Sequence, residues 1–168
     1  NKIPNSRIKM LNGEYAKLSD FNQNGPMIVN FWTTWWPYCE RQLGYLDQLS
    51  EEFKDIGLQV LAVNVNKANI INQVRPYIKK RKYKFNVSVD PSSKLAKQFK
   101  VRGYPTFLLI DQKGNIIDKS SGYEEGMEDK YLSKLLKYFD SQNIEYEPFK
   151  YAEKESGINK NGEVKIDF

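Results

Sequence analysis

"FWTTWWPYCERQLGYL", residues 31–46, decides how this chain is read. Its character changes at Pro37. The run "PMIVNFWTT" (26–34) is compact and apolar, suited to a buried central strand. Beyond Pro37, the residues Cys39, Leu43, Leu46, Leu49 and Phe53 are spaced four, three, three and four apart. That spacing draws one apolar stripe at about 3.6 residues per turn, the signature of an amphipathic helix. Proline is tolerated at the first helical position, so Pro37 opens the helix. Gly57 is its expected stop. Cys39 lies on the stripe and is expected to face the core.

Further out, "RIKMLNGEYAKL" (7–18) alternates apolar and polar residues around Asn12-Gly13, which predicts a hairpin with a type I′ turn. "LQVLAVNVN" (58–66) reads as a second buried strand. A helical segment is expected from about Ile70 to Arg81, with Ile70, Ile71, Val74, Tyr77 and Ile78 as its apolar face. Pro76 should kink that segment or mark its true start. "KFNVSVD" (84–90) is a weaker strand and "PSSKLAKQF" (91–99) a short helix. "PTFLLIDQKGNIIDKS" (105–120) predicts a hairpin, with Gly114 supplying a positive backbone angle in the turn. "EDKYLSKLLKYF" (128–139) places Leu132, Leu135, Leu136 and Phe139 on one helical face. After Gln142 the rhythm stops. The expected division is therefore a domain over 1–142 and a polar extension over 143–168, in which "EVKIDF" is a candidate edge strand and "YEPFKY" packs on the domain. The order of elements predicts an α/β fold: a central mixed sheet, helices on both faces, and right-handed crossovers between parallel strands.

With 168 residues, 40% hydrophobic and 28% charged, the chain fits one domain with a full core. No apolar run approaches the roughly 20 residues of a membrane span, so no integral membrane segment is expected. The first residue is Asn1, not Met, and the chain is expected to derive from a longer product that has lost a leader or anchor. Much of the net charge of +5 is local, in Lys79, Lys80, Arg81, Lys82 and Lys84. No nucleic-acid motif accompanies this run, so it reads as a solvated helix end with cations near the negative end of the dipole. A single cysteine excludes an internal disulfide and a thiolate metal cage. The absence of histidine removes His triads, Cys–His dyads and His metal sites. No metal and no cofactor are expected.

"VNFWTTWWPYC" resembles the active-site segment of extracytoplasmic thioredoxin-like proteins of the TlpA/ResA type, which typically read V-N-F-W-A-T-W-C-x-x-C. "VRGYPTFLLID" resembles that family's second signature, a loop with a cis-proline. The likeness covers about residues 3–141, with both motifs in the expected order. It implies a thioredoxin fold, an ancestry in thiol–disulfide exchange, and an extracytoplasmic location, periplasmic or membrane-anchored. Carried over by position, Trp36 stands where the nucleophilic cysteine belongs and Cys39 on the resolving cysteine. Pro105 stands on the cis-proline and Tyr104 on the residue before it. Asn30 occupies a position where cytoplasmic thioredoxins keep a buried carboxylate and where the TlpA/ResA type usually has asparagine.

The departure at Trp36 closes the dithiol cycle. In such an enzyme a thiolate at the helix N-terminus, favoured by orphan N–H groups and the macrodipole, attacks a disulfide, and the second thiol resolves it. An indole has no sulfur, and its N–H only donates. Cys39, in an apolar stripe, is expected to be a poor nucleophile, although its place in the first helical turn favours a thiolate. Trp36 either folds over the helix start as a shield, or joins Trp35, Pro37, Tyr38, Tyr104 and Pro105 in a surface that receives an extended protein or peptide partner. Three functions compete. One is a redox-impaired binding domain. The second is an oxidoreductase acting through the single thiol of Cys39. The third is a variant of a normal dithiol enzyme, tryptophan and cysteine codons differing at one base. Asp90, Asp111 and Glu40 read as turn, cap and surface residues.

Overall fold

The computed structural model describes residues 2–149. Strands β1 (Arg7–Met10) and β2 (Tyr15–Lys17) form the N-terminal hairpin. β3 (Met27–Trp32) leads into α1 (Pro37–Phe53), followed by β4 (Gln59–Asn64), α2 (Val74–Arg81) and β5 (Asn86–Val89). Then come α3 (Lys94–Gln98), the hairpin β6 (Thr106–Ile110) and β7 (Ile116–Ser121), and α4 (Met127–Ser141). The seven strands make one sheet in the order β2-β1-β5-β4-β3-β6-β7. β3 pairs parallel with β4, and β4 parallel with β5, each across a helix. β6 returns antiparallel on β3, and β1 antiparallel on β5. This is the α/β mixed sheet that the order of elements predicts.

Period-two alternation splits the sheet's side chains between two cores. Ile28, Trp32, Val60, Ala62, Phe107 and Leu109 pack with α1, α4 and Val74 of α2. Met27, Val29, Phe31, Leu61, Val63 and Leu108 pack with α3 and with the short 3-10 turn Leu18–Phe21. All six residues of β3 are buried, as a strand covered on both faces requires.

α1 begins at Pro37, with Trp36 as its N-cap residue. The predicted stripe is intact: Cys39, Leu43, Leu46, Leu49 and Phe53 are all buried, joined by Gln42 and Tyr45. The helix is followed by a 3-10 turn that closes at Gly57, φ 99°. A Cβ there would stand 2.0 Å from the Asn24 carbonyl oxygen, so only glycine fits.

Four expectations change. The first hairpin is not type I′: only Gly13 has positive φ, and the four-residue loop from Leu11 to Glu14 is closed by Gly13 N–H on the Met10 carbonyl at 2.9 Å. Asn12 instead uses its side-chain oxygen to accept the Glu14 N–H at 2.9 Å, which leaves its own backbone in the ordinary region. The segment after β4 is two pieces, a 3-10 stretch Ala68–Gln73 and then α2, and Pro76, in the first turn of α2, takes the second of its two expected roles, marking the true start of the helix. Only Val74 of its expected apolar face is fully buried. On α4 the buried seam is Glu128, Tyr131, Leu135 and Phe139; Leu132 and Leu136 are only partly covered. Past α4, Ile144, Tyr146 and Phe149 pack against the α1 core, Phe149 against Tyr45 and Phe53, as expected for the described part of "YEPFKY". "EVKIDF" lies outside the described residues.

Candidate functional site at the tip of α1

The turn between β3 and α1 is held by a polar clamp. Asn66, 1% exposed, accepts the Thr34 N–H at 3.1 Å and donates to the Thr34 hydroxyl at 2.7 Å and the Ile70 carbonyl at 3.3 Å. The Thr34 hydroxyl in turn donates to the Gln73 side chain at 3.0 Å. Beyond this clamp the chain turns outward and aromatic. Trp35 is 59% exposed, Trp36 38% and Tyr38 52%. The rings run edge to face: Trp35 to Trp36 at 5.9 Å and Trp36 to Tyr38 at 5.6 Å. Tyr38 then stacks on Tyr123 at 5.9 Å.

Tyr123 is the member that sequence reading missed. It is fixed from below, its hydroxyl bonded to the Glu128 carboxylate. Arg41 binds the same carboxylate oxygen at 3.2 Å and lies over the Tyr123 ring at 5.8 Å. Burial, then the Glu128 carboxylate, drive the Tyr123 phenol far above its usual range. No periodicity marked Tyr123, because it sits alone in the loop between β7 and α4.

The Tyr104–Pro105 bond is cis, as the resemblance implies. Pro105 is buried, and its carbonyl accepts the Gly122 N–H at 2.8 Å, tying this loop to the one that carries Tyr123. Tyr104 does not join the exposed rings. It is half-buried between the two cores, its hydroxyl meets Ser93, and burial raises its pKa. The strip is therefore Trp35, Trp36, Tyr38 and Tyr123, with Pro37 exposed among them.

Cys39 lies directly beneath. Its N–H reaches the Trp36 carbonyl at 3.1 Å, and the residue is 0% exposed. Burial pushes its thiol up to about 11, against a partial pull from neighbouring Thr33. At neutral pH that leaves about one thiolate in ten thousand. Asn30 is also fully buried, on the face of β3 that meets α1. Behind Cys39, Gln42 donates to the Tyr131 hydroxyl at 3.0 Å, and Tyr131 stacks on Phe107 at 4.0 Å.

The remaining singled-out residues are structural. Asp90 accepts the Leu95 and Ala96 N–H groups at the start of α3. Asp111 ties the β6–β7 turn through Lys113 and Asn115. Glu40 is exposed and pairs with Arg81 at 3.0 Å. Among the described residues no cluster of acidic or cysteine side chains could hold a metal, and no helix is long and apolar enough to cross a membrane.

Comparison with known proteins identifies the family and the fold. Residues 1–119 match the AhpC/TSA family. The thiol-disulfide oxidoreductase ResA of Bacillus thuringiensis subsp. konkukian is 31% identical over 136 residues, which span 80% of this chain and 76% of the relative. Among solved structures, the exposed lipoprotein thioredoxin of Streptococcus pneumoniae superposes with a TM-score of 0.65 at 28% identity, covering 80% of this chain and 99% of that one. A Chlorobium tepidum structure assigned as a thiol:disulfide interchange protein DsbE shares the fold, with a TM-score of 0.75 at 24% identity over 82% of this chain and 95% of the other. The chain belongs to the AhpC/TSA family and, within it, to the thioredoxin-like thiol-disulfide oxidoreductases of the ResA type.

Proposed function

We propose that this protein is a redox-impaired member of its family that binds an extended segment of another protein at the tip of α1. The observation that carries this reading is the inversion at residues 36 and 39. The exposed position holds an indole, and the only thiol is buried with a pKa near 11. Attack on a disulfide needs an accessible thiolate, and this site offers neither access nor ionisation. What it does offer is an open row of Trp and Tyr rings beside a cis-proline loop, residue types that dominate binding hot spots. An extracytoplasmic location is part of the same proposal. It draws on the character of one structural neighbour, an exposed lipoprotein, and of another, a secreted disulfide oxidoreductase of Mycobacterium tuberculosis.

A thiol-dependent disulfide-reduction assay tests it. The protein as it stands should give no turnover above the free-thiol background, and robust turnover would defeat the proposal. Trp36→Cys should restore dithiol exchange, because the cis-proline loop and the buried Cys39 position are both in place. The single-thiol alternative predicts rapid alkylation of Cys39 at neutral pH. The burial of Cys39 argues for labelling only on unfolding.

A further inference from the structure

Arg41 is fixed in place with most of its donors unused. It lies three residues after Tyr38 on α1, and residues so spaced share one face of a helix. Its Nε donates to Glu128 at 3.2 Å, and its guanidinium carbon stands 5.8 Å from the centre of the Tyr123 ring. Tyr123 stacks in turn on Tyr38. Contact is therefore continuous from Trp35 through Trp36, Tyr38 and Tyr123 to Arg41, each step under 6 Å. The cation closes one end of the aromatic strip.

A guanidinium has five N–H donors, and Glu128 takes one of them. Among the described residues the four on Nη1 and Nη2 meet no acceptor, and neither nitrogen is closed off from water; the side chain as a whole is 19% exposed. The Glu128 oxygen that binds Arg41 also receives the Tyr123 hydroxyl. Its charge is divided between two donors, so the outer edge of Arg41 keeps positive charge.

We infer that Arg41 binds a carboxylate of the extended segment that covers the strip, through the fork of Nη1 and Nη2. This rests on the peptide-binding function and adds the anchor and the chemistry of the partner. Two parallel N–H groups match the two oxygens of a carboxylate, a fit that an ammonium cannot give. Glu128 already orients the guanidinium, so little side-chain freedom is lost on binding. A phosphate ester would bring nearly two negative charges beside Glu128. Arg41 is the one cation in contact with Tyr123 and Glu128 among the described residues, and it balances a single charge. The spacing follows from the strip. Trp36 and Arg41 are three contact steps apart, each under 6 Å, and an extended chain rises about 3.3 Å per residue. The carboxylate therefore falls within about five residues of the side chain that covers Trp36.

Amide-capped peptides with a shared tryptophan-free apolar centre test the inference through the change in indole fluorescence. One carries aspartate three residues to either side of the centre, one asparagine at both positions, and one phosphoserine at both. A fourth is the asparagine peptide shortened to end in a free carboxylate three residues past the centre. At least one of the two carboxylate peptides should bind at least about tenfold more tightly than the asparagine peptide. Which of them does so distinguishes a side-chain carboxylate from a chain end. Arg41→Lys keeps a positive charge beside Glu128 but has no fork, and should cut that preference to less than about threefold. The comparison within the parent protein stands even if the variant unfolds. Equal binding of the asparagine peptide and both carboxylate peptides overturns the inference and leaves the peptide-binding function standing. A preference that survives intact in Arg41→Lys overturns it, as does tightest binding by the phosphoserine peptide. No fluorescence change with any peptide overturns both the inference and the peptide-binding function.

Discussion

Two aromatic assemblies flank α1, and they are built on opposite terms. Phe107 and Tyr131 stack at 4.0 Å, both essentially inaccessible, with the one hydroxyl satisfied by Gln42. Trp35, Trp36, Tyr38 and Tyr123 form a chain of ring contacts, with three of the four rings open to water. The first assembly returns its hydrophobic surface to the fold. The second leaves large rings exposed although a clamp at Asn66 and an anchor at Glu128 hold its ends. Rigid support beneath exposed apolar groups is what a binding surface needs and a core does not. Under the proposed function, the contrast gives stability to one group of rings and recognition to the other.

The contrast can be broken in order of expected effect. Phe107→Ala removes a fully buried ring and should cost about 3–5 kcal/mol of stability, measured by urea unfolding. A cost near zero would mean that the inner stack is not part of the core. Glu128→Ala leaves Arg41 without its carboxylate in a largely covered site and should cost about 2 kcal/mol. The near-ultraviolet circular dichroism of the tyrosines should change with it, because Tyr123 loses its anchor. Raising the pH should weaken the fold through Cys39. Its folded-state pKa of about 11 lies above the ordinary 9.0, so the buried neutral thiol contributes stability that is complete below pH 9 and lost as pH rises toward 11. The loss assigned to this group, up to roughly 2 kcal/mol, is read as the difference between the parent and Cys39→Ala over that window. Smallest in stability is Trp35→Ala, which should change unfolding by no more than about 0.5 kcal/mol while weakening peptide binding at least about tenfold. A large loss of stability with binding unchanged would reverse the assignment of the two assemblies.

Much of this was legible in the sequence where one element determines the outcome. Pro37 and the stripe from Cys39 to Phe53 set the start, phase and inward thiol of α1 by helical geometry alone. What escaped depends on distant partners. Tyr123 belongs to the strip because Tyr38 and Arg41 both pack on its ring, and no local pattern encodes that meeting. Glu128 is buried on α4 because Arg41 and Tyr123 satisfy it; a carboxylate read in isolation belongs outside. Asn12 misled because its side chain took a backbone N–H that a type I′ turn would have left alone. The basic run looked like a helix end and is one, closing α2 at Lys82.

Glu40 and Arg41, adjacent in sequence, pull α1 toward opposite neighbours, and the buried face from Cys39 to Phe53 fixes its rotation about its axis. A roll that brought Cys39 to the surface would expose Leu43, Leu46 and Leu49 with it. Modification of this sulfur therefore has to wait for the first turn of the helix to come apart. The one thiol should then serve as a native unfolding reporter: the rate at which it captures an alkylating dye is expected to measure how often the first turn of α1 opens, with no engineered probe.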